Sequence, residues 1–185
     1  MFKVKDIING CKKGDRKCQK ELYDHYAPFM LSVSRRYTKS IGEAEDVVQD
    51  SFIKIFKSLD TFRGDTNLDF WIRRIVINTA LNSQRSKLYL FPMVDVEDVK
   101  LYTDEKFTLK DFHLEDLYKM IQELPTGCQV IFNLYAVEGY SHKEVAEMLE
   151  ISEGTSKSQY SRAKLLLKEK IEKEKKINYE FIASR

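Results

Sequence analysis

Seven glycines and three prolines are all that punctuate 185 residues. A sandwich or barrel of strands needs turn residues about every 8–12 positions, so a chain this poor in them is predicted to be helical. The apolar spacing agrees. Across 20–37, apolar side chains fall at Leu22, Tyr23, Tyr26, Phe29, Met30, Val33 and Tyr37, and Pro28 is expected to kink or restart that helix. A second helix is predicted over about 43–59, with Ala44, Val47, Val48, Phe52, Ile55 and Leu59 on one face. Turn chemistry at Gly64 and Asp65 precedes a third helix, about 68–86, with Leu68, Trp71, Ile72, Ile75 and Thr79 facing the core.

Residues 88–112 lose this period. They are acidic, carry Pro92 and read as a linker. A second helical domain starts near His113, where Leu114, Leu117, Tyr118, Ile121 and Leu124 share a face and Pro125 is placed at the first position of the next helix. The segment 128–137 is predicted helical. Ser141 and Glu144 then form a capping box for a short helix over 143–149, and Ser152 caps a last helix from Glu153 to about Lys175. The expected fold is all-α: a helical domain over 1–87, an acidic linker over 88–112 and a helix-turn-helix domain over 113–185.

Charge is unevenly distributed. Residues 1–90 hold 17 Lys/Arg against 11 Asp/Glu, residues 91–116 hold 3 against 8, residues 117–153 hold 2 against 6, and residues 154–176 hold 8 against 3. Two basic regions separated by acidic ones suit a polyanion gripped at two places, or two ordinary solvated faces. In the last helix, Ser156, Tyr160, Ala163 and Leu167 should face inward, and Lys157, Ser158, Ser161, Arg162 and Leu165 outward. Lys168, Lys170, Lys173, Lys175 and Lys176 trail toward phosphates or solvent. A major groove about 12 Å wide accepts such a helix.

Several stretches are familiar. Leu22-Tyr-Asp-His-Tyr26, Ala44-Glu-Asp-Val-Val-Gln-Asp-Ser-Phe52 and Phe70-Trp-Ile-Arg-Arg-Ile-Val-Ile-Asn78 precede Leu124-Pro, Val130-Ile-Phe-Asn-Leu, Glu138-Gly-Tyr-Ser-His-Lys-Glu-Val-Ala146 and Ile151-Ser-Glu-Gly-Thr-Ser-Lys-Ser-Gln-Tyr-Ser-Arg-Ala163. In this order and spacing the chain resembles bacterial RNA polymerase sigma factors of the small two-domain extracytoplasmic-function (ECF) group. Two positions depart from that pattern: Gln129 stands where the family often has Arg, and Glu150 where it usually has Gly.

The resemblance implies an initiation subunit that binds core polymerase, through the β′ clamp and the β subunit, and directs it to promoter DNA. Asp46, Gln49 and Asp50 would grip the clamp, although a solvated helix face is the plainer alternative. Phe62, Arg63, Asn67, Arg74, Asn78, Asn82 and Arg85 would engage the minus-ten element, where an extruded base needs stacking and polar contacts. Thr155, Lys157, Ser158, Ser161 and Arg162 would read the minus-thirty-five element. Linker acids Asp95, Glu97, Asp98, Asp104 and Glu105 suit a polymerase channel built for a polyanion, or a simple spacer. An anti-sigma factor is a further implied partner.

Other classes have little support. His25, His113 and His142 are scattered, and the chain has no Gly-rich phosphate loop, metal-spaced Cys/His cluster or nucleophile elbow. No cofactor or metal is expected, and catalysis would belong to the polymerase. Three cysteines out of metal spacing, no apolar run of membrane length and no export signal at the start favour a reduced cytoplasmic setting. The remaining alternatives are a free-standing helix-turn-helix regulator and a protein-interaction module such as an adaptor or decoy.

Overall fold

The computed structural model describes residues 4–62, 64, 67–90 and 114–183. Among these are eight α-helices and no strand. The chain divides into two compact units, Met1–Ser86 and Lys87–Arg185. The linker acids Asp95, Glu97, Asp98, Asp104 and Glu105, and also Arg63 and His113, lie outside the described residues.

The first unit contains α1 (Val4–Lys12), α2 (Arg16–Ser34), α3 (Ile41–Ser58) and α4 (Leu68–Leu90), with a 3₁₀ turn at Leu59–Thr61. Asp15 starts α2 by accepting the N–H groups of Lys17 and Cys18 at 2.8 and 3.4 Å. Helix α2 runs unbroken through Pro28, so the expected restart is not found. Leu22 and Tyr26 before the proline and Met30 and Val33 after it are all buried. Each fully buried side chain of this kind contributes about 1.5–3 kcal/mol, together more than the ~3 kcal/mol penalty of an internal proline.

Helix α3 starts at Ser40, whose hydroxyl accepts the Glu43 N–H at 3.2 Å, and it buries Ala44, Val47, Val48, Phe52 and Ile55 as the spacing predicts. Directed contacts tie the helices together. Ser34 Oγ donates to the Ala44 carbonyl at 3.1 Å, Tyr26 Oη to Asp69 at 2.6 Å, and Lys54 Nζ to Thr79 Oγ1 at 3.1 Å. Burial first, then the Asp69 bond, pushes the Tyr26 hydroxyl above its ordinary pKa.

Two readings of this unit need correction. Helix α1 is not predicted by spacing, because Ile7, Ile8 and Cys11, its buried residues, give barely one turn of pattern. The buried face of α4 is also rotated from the expected one. Leu68, Ile72, Val76, Ile77, Thr79, Ala80 and Leu81 are buried, whereas Trp71 and Ile75 are only half-buried. The helix is apolar around much of its circumference, and spacing alone could not choose among overlapping stripes. It also runs to Leu90, past the expected end near Ser86.

The second unit holds α5 (Leu114–Gln122), α6 (Thr126–Phe132), α7 (His142–Leu149) and α8 (Glu153–Ala183). Met120, Ile121, Leu124 and Cys128 pack with Ala163, Leu167 and Ile171 of α8. Pro125, with φ −51° and ψ 140°, is the N-cap of α6 and not its first helical residue. Residues Asn133–Val137 continue α6 as a π-helical turn, and Gly139 at φ +81° ends it.

Candidate nucleic-acid interface

The helix-turn-helix is assembled from local bonds. The Ser141 hydroxyl and the Glu144 carboxylate complete the capping box at the start of α7. Its end is capped by Glu150, which takes the left-handed conformation at φ 56°, ψ 44° where the family pattern has glycine. The Ile151 N–H then bonds the Ala146 carbonyl at 3.0 Å. Ser152 Oγ accepts the Thr155 N–H at 2.9 Å and opens α8.

Helix α8 is held from below by polar and aromatic contacts that the spacing did not reveal. His142 Nδ1 lies 2.9 Å from Ser156 Oγ. The His142 ring stacks on Tyr135, with centroids 4.0 Å apart and planes 13° apart, and Tyr135 meets Tyr160 at 4.6 Å. Burial, then the nearby Lys157 charge, holds the imidazole below its ordinary pKa of 6.5. Cys128 Sγ donates to Gln159 Oε1 at 3.1 Å inside the core, and burial raises that thiol's pKa. Gln129 is only 2% exposed, and its amide donates to Gln122, which donates to Tyr118. A side chain in that place serves packing.

The predicted faces of α8 are mostly found. Ser156, Ala163 and Leu167 are buried, Tyr160 is half-buried, and Lys157 and Arg162 are exposed with Ser158 and Ser161 half-buried between them. Lys157 is paired with Glu153 at 2.7 Å. Thr155 departs from the outward group: it is 7% exposed and its hydroxyl bonds that of Ser152 at 2.8 Å. Leu165 is half-buried, not outward. Lys170 is paired with Glu123 and does not trail freely, Lys168 is half-buried, and Lys173 is exposed. The side chains of Lys175 and Lys176 lie outside the described residues.

In the first unit, Asp46, Gln49 and Asp50 are exposed on one side of α3. Beside Gln49 a cleft opens between α2 and α3, lined by Tyr23, Ala27, Pro28, Leu31 and Val48 with Asp24 and Glu45. No sequence spacing signals it, because its walls come from two helices. On α4, Arg74, Asn78 and Asn82 are exposed, and the side chain of Arg85 lies outside the described residues.

The aromatic placement differs from expectation. Phe62 packs on Trp71, centroids 5.3 Å apart, so neither ring is open on both sides. Asn67 caps α4, its side-chain oxygen accepting the Asp69 N–H at 3.0 Å. The open aromatic is Phe70, 68% exposed, which sequence reading overlooked beside Trp71. Phe70, Arg74, Asn78 and Asn82 follow one another at i+4, a single exposed row about 18 Å long at 1.5 Å per residue.

Two family models match this chain: Sigma-70 region 2 over residues 22–88 and Sigma-70 region 4 over residues 114–167. The ECF RNA polymerase sigma-E factor of Salmonella typhimurium strain LT2 is 29% identical over 178 residues, covering 90% of this chain and 93% of that protein. The protein of the same name from Escherichia coli K12 is 28% identical with the same coverage. Among solved structures, RpoE of Bartonella quintana, crystallised with the anti-sigma factor NepR, is 24% identical with a TM-score of 0.53 and covers 83% of this chain and 96% of its own. CnrH, solved with the cytosolic domain of CnrY, is 20% identical with a TM-score of 0.50 and covers 90% and 95%. These two likenesses concern the fold.

Proposed function

The chain belongs to the sigma-70 family, in its ECF group, and from that premise we propose how its surfaces divide the work. It is a sigma factor: it binds core RNA polymerase and directs promoter-specific initiation. Asp46, Gln49 and Asp50, with the cleft beside them, form the polymerase-binding face, because an acidic patch on a basic unit is repelled by DNA and attracted to a basic protein surface. The row Phe70, Arg74, Asn78 and Asn82 engages the melted minus-ten strand, with Arg63, Asn67 and Arg85 as further contacts. Phe70 supplies the stacking ring, and Phe62 packs against Trp71. Arg162 and Lys157 reach bases or phosphates from α8, with Ser158 and Ser161 small enough to let the helix approach, and Thr155 braces the helix start.

The observation that carries this reading is the coexistence, in one unit, of an exposed acidic patch on α3 and an exposed cationic, amide and aromatic row on α4. A free-standing regulator has no use for the first. The chain supplies recognition while the polymerase supplies the chemistry, and it acts in the cytoplasm; among the described residues no helix is long and apolar enough to cross a membrane. An anti-sigma factor is a further partner, the class of protein with which RpoE of Bartonella quintana was crystallised.

The test is promoter-dependent transcription after adding the chain to core polymerase. Wild type should support it. Asp46→Ala with Gln49→Ala should lose polymerase affinity while keeping its helical signal, since both side chains are exposed. Unchanged affinity in the double variant would remove the assignment of the clamp-binding face.

A further inference from the structure

The corner where α1 meets α2 carries Lys12, Lys13, Arg16, Lys17 and Lys20, five cations in nine positions, against one acid, Asp15. All five are exposed. Asp15 is committed to capping α2, and Glu21 and Asp24 follow farther along that helix. Lys20 pairs with Asp24. Among the described residues, Lys12, Lys13, Arg16 and Lys17 form no ion pair. Arg16 and Lys17 also sit in the first turn of α2, which has no acidic residue. Cations there oppose the positive end of the helix dipole, so their placement works against stability.

This corner touches the segment leading to the proposed minus-ten row. Helix α1 packs on the 3₁₀ turn Leu59–Thr61, and Lys12 Nζ donates to the Phe62 carbonyl at 3.4 Å. Phe62 in turn lies on Trp71, next to Phe70. Cationic side chains that cost stability, form no ion pair among the described residues and abut the proposed DNA-engaging surface have one fitting ligand: the phosphate backbone of that DNA.

We propose that the α1–α2 corner is a sequence-independent phosphate-binding surface, extending the promoter track beyond the minus-ten row. The inference rests on the promoter reading above. Its ligand is the DNA backbone flanking the melted segment, held by Lys12, Lys13, Arg16 and Lys17 without reading bases.

The experiment measures promoter binding by the holoenzyme at several salt concentrations. It compares wild type, a neutralised variant (K12Q, K13Q, R16Q, K17Q) and a charge-keeping variant (K12R, K13R, R16K, K17R). Each phosphate contact contributes about 0.7–0.9 to the slope of log K against log salt, so the neutralised variant should be shallower by about 3. Over a fourfold rise in salt, wild type should then lose about 60-fold more affinity than that variant. The charge-keeping variant should follow wild type. Parallel slopes for wild type and the neutralised variant would overturn the inference alone. So would a loss of core-polymerase affinity with an unchanged DNA slope, which would assign the corner to an acidic protein surface. An equal loss in the charge-keeping variant would also overturn it, because charge would not be the cause. If wild-type holoenzyme forms no promoter complex, the promoter reading itself fails and takes this inference with it.

Discussion

The rows proposed to face DNA on helices α4 and α8 are held differently. The buried face of α4 is mostly apolar, Leu68, Ile72, Val76, Ile77 and Ala80. Thr79 bonds the Ile75 carbonyl of its own helix and accepts from Lys54 of α3, and Asp69 accepts from Tyr26 of α2 at the helix start. Beneath the start of α8 lie Thr155, Ser156 and Gln159, bonded to Ser152, His142 and Cys128. Apolar packing supplies most of the stability and tolerates exchange of one hydrophobic shape for another. Hydrogen bonds between helices add less energy and fix rotation, since each is made in one geometry only. A helix that reads base edges in a groove depends on its rotation. A row that captures an unstacked base depends more on having an open ring.

The largest expected effect tests the apolar face of α4. Ile72→Ala should destabilise the first unit by about 2–5 kcal/mol, seen as a lower Tm for that unit. Sequence preference at the minus-thirty-five element should not change, and a change there would break the division between the two helices.

Phe70→Ala comes next. Stacking on an aromatic is worth about 1–3 kcal/mol per base, so open-complex formation should fall roughly 5- to 150-fold with no loss of folding. Phe70→Trp should retain function. If Phe62→Ala matches Phe70→Ala in permanganate reactivity of the melted strand without unfolding, the stacking role was given to the wrong ring.

Ser156→Ala should cost about 1–2 kcal/mol, because it removes the hydrogen-bond partner of His142 on α8. Its effect on minus-thirty-five preference should exceed that of Ile72→Ala, measured against a promoter library. Acidification probes the same contact. His142 is held below its ordinary pKa, so over that interval the unfolded chain binds more protons and stability rises with pH. The His142 contribution is complete above about 6.5 and is lost as pH falls from there toward the lowered value. A Tm for the second unit whose pH dependence is unaltered by His142→Asn would refute this.

The smallest effect is a gain. Glu150 occupies a left-handed conformation that a side chain reaches at a cost of about 1 kcal/mol. Glu150→Gly should stabilise the second unit by about that amount in thermal unfolding.

Much of the architecture was legible in the residue order. Few turn residues, four of the helices' buried faces, the Ser141–Glu144 box and the Ser152 cap are local properties, readable because neighbours three and four apart meet whatever the fold. The motifs that mark the sigma family are equally local strings. What the tertiary structure alone decided were choices among faces. Helix α4 is apolar on overlapping stripes, and packing against α2 and α3 selected the one that half-exposes Trp71 and leaves Phe70 open. Gln129 and His142 look like surface residues in a string, and they became bracing only because Gln122 and Ser156 came within hydrogen-bond reach. A buried polar group is stable only beside its partner, and the partner's position is a property of the folded chain.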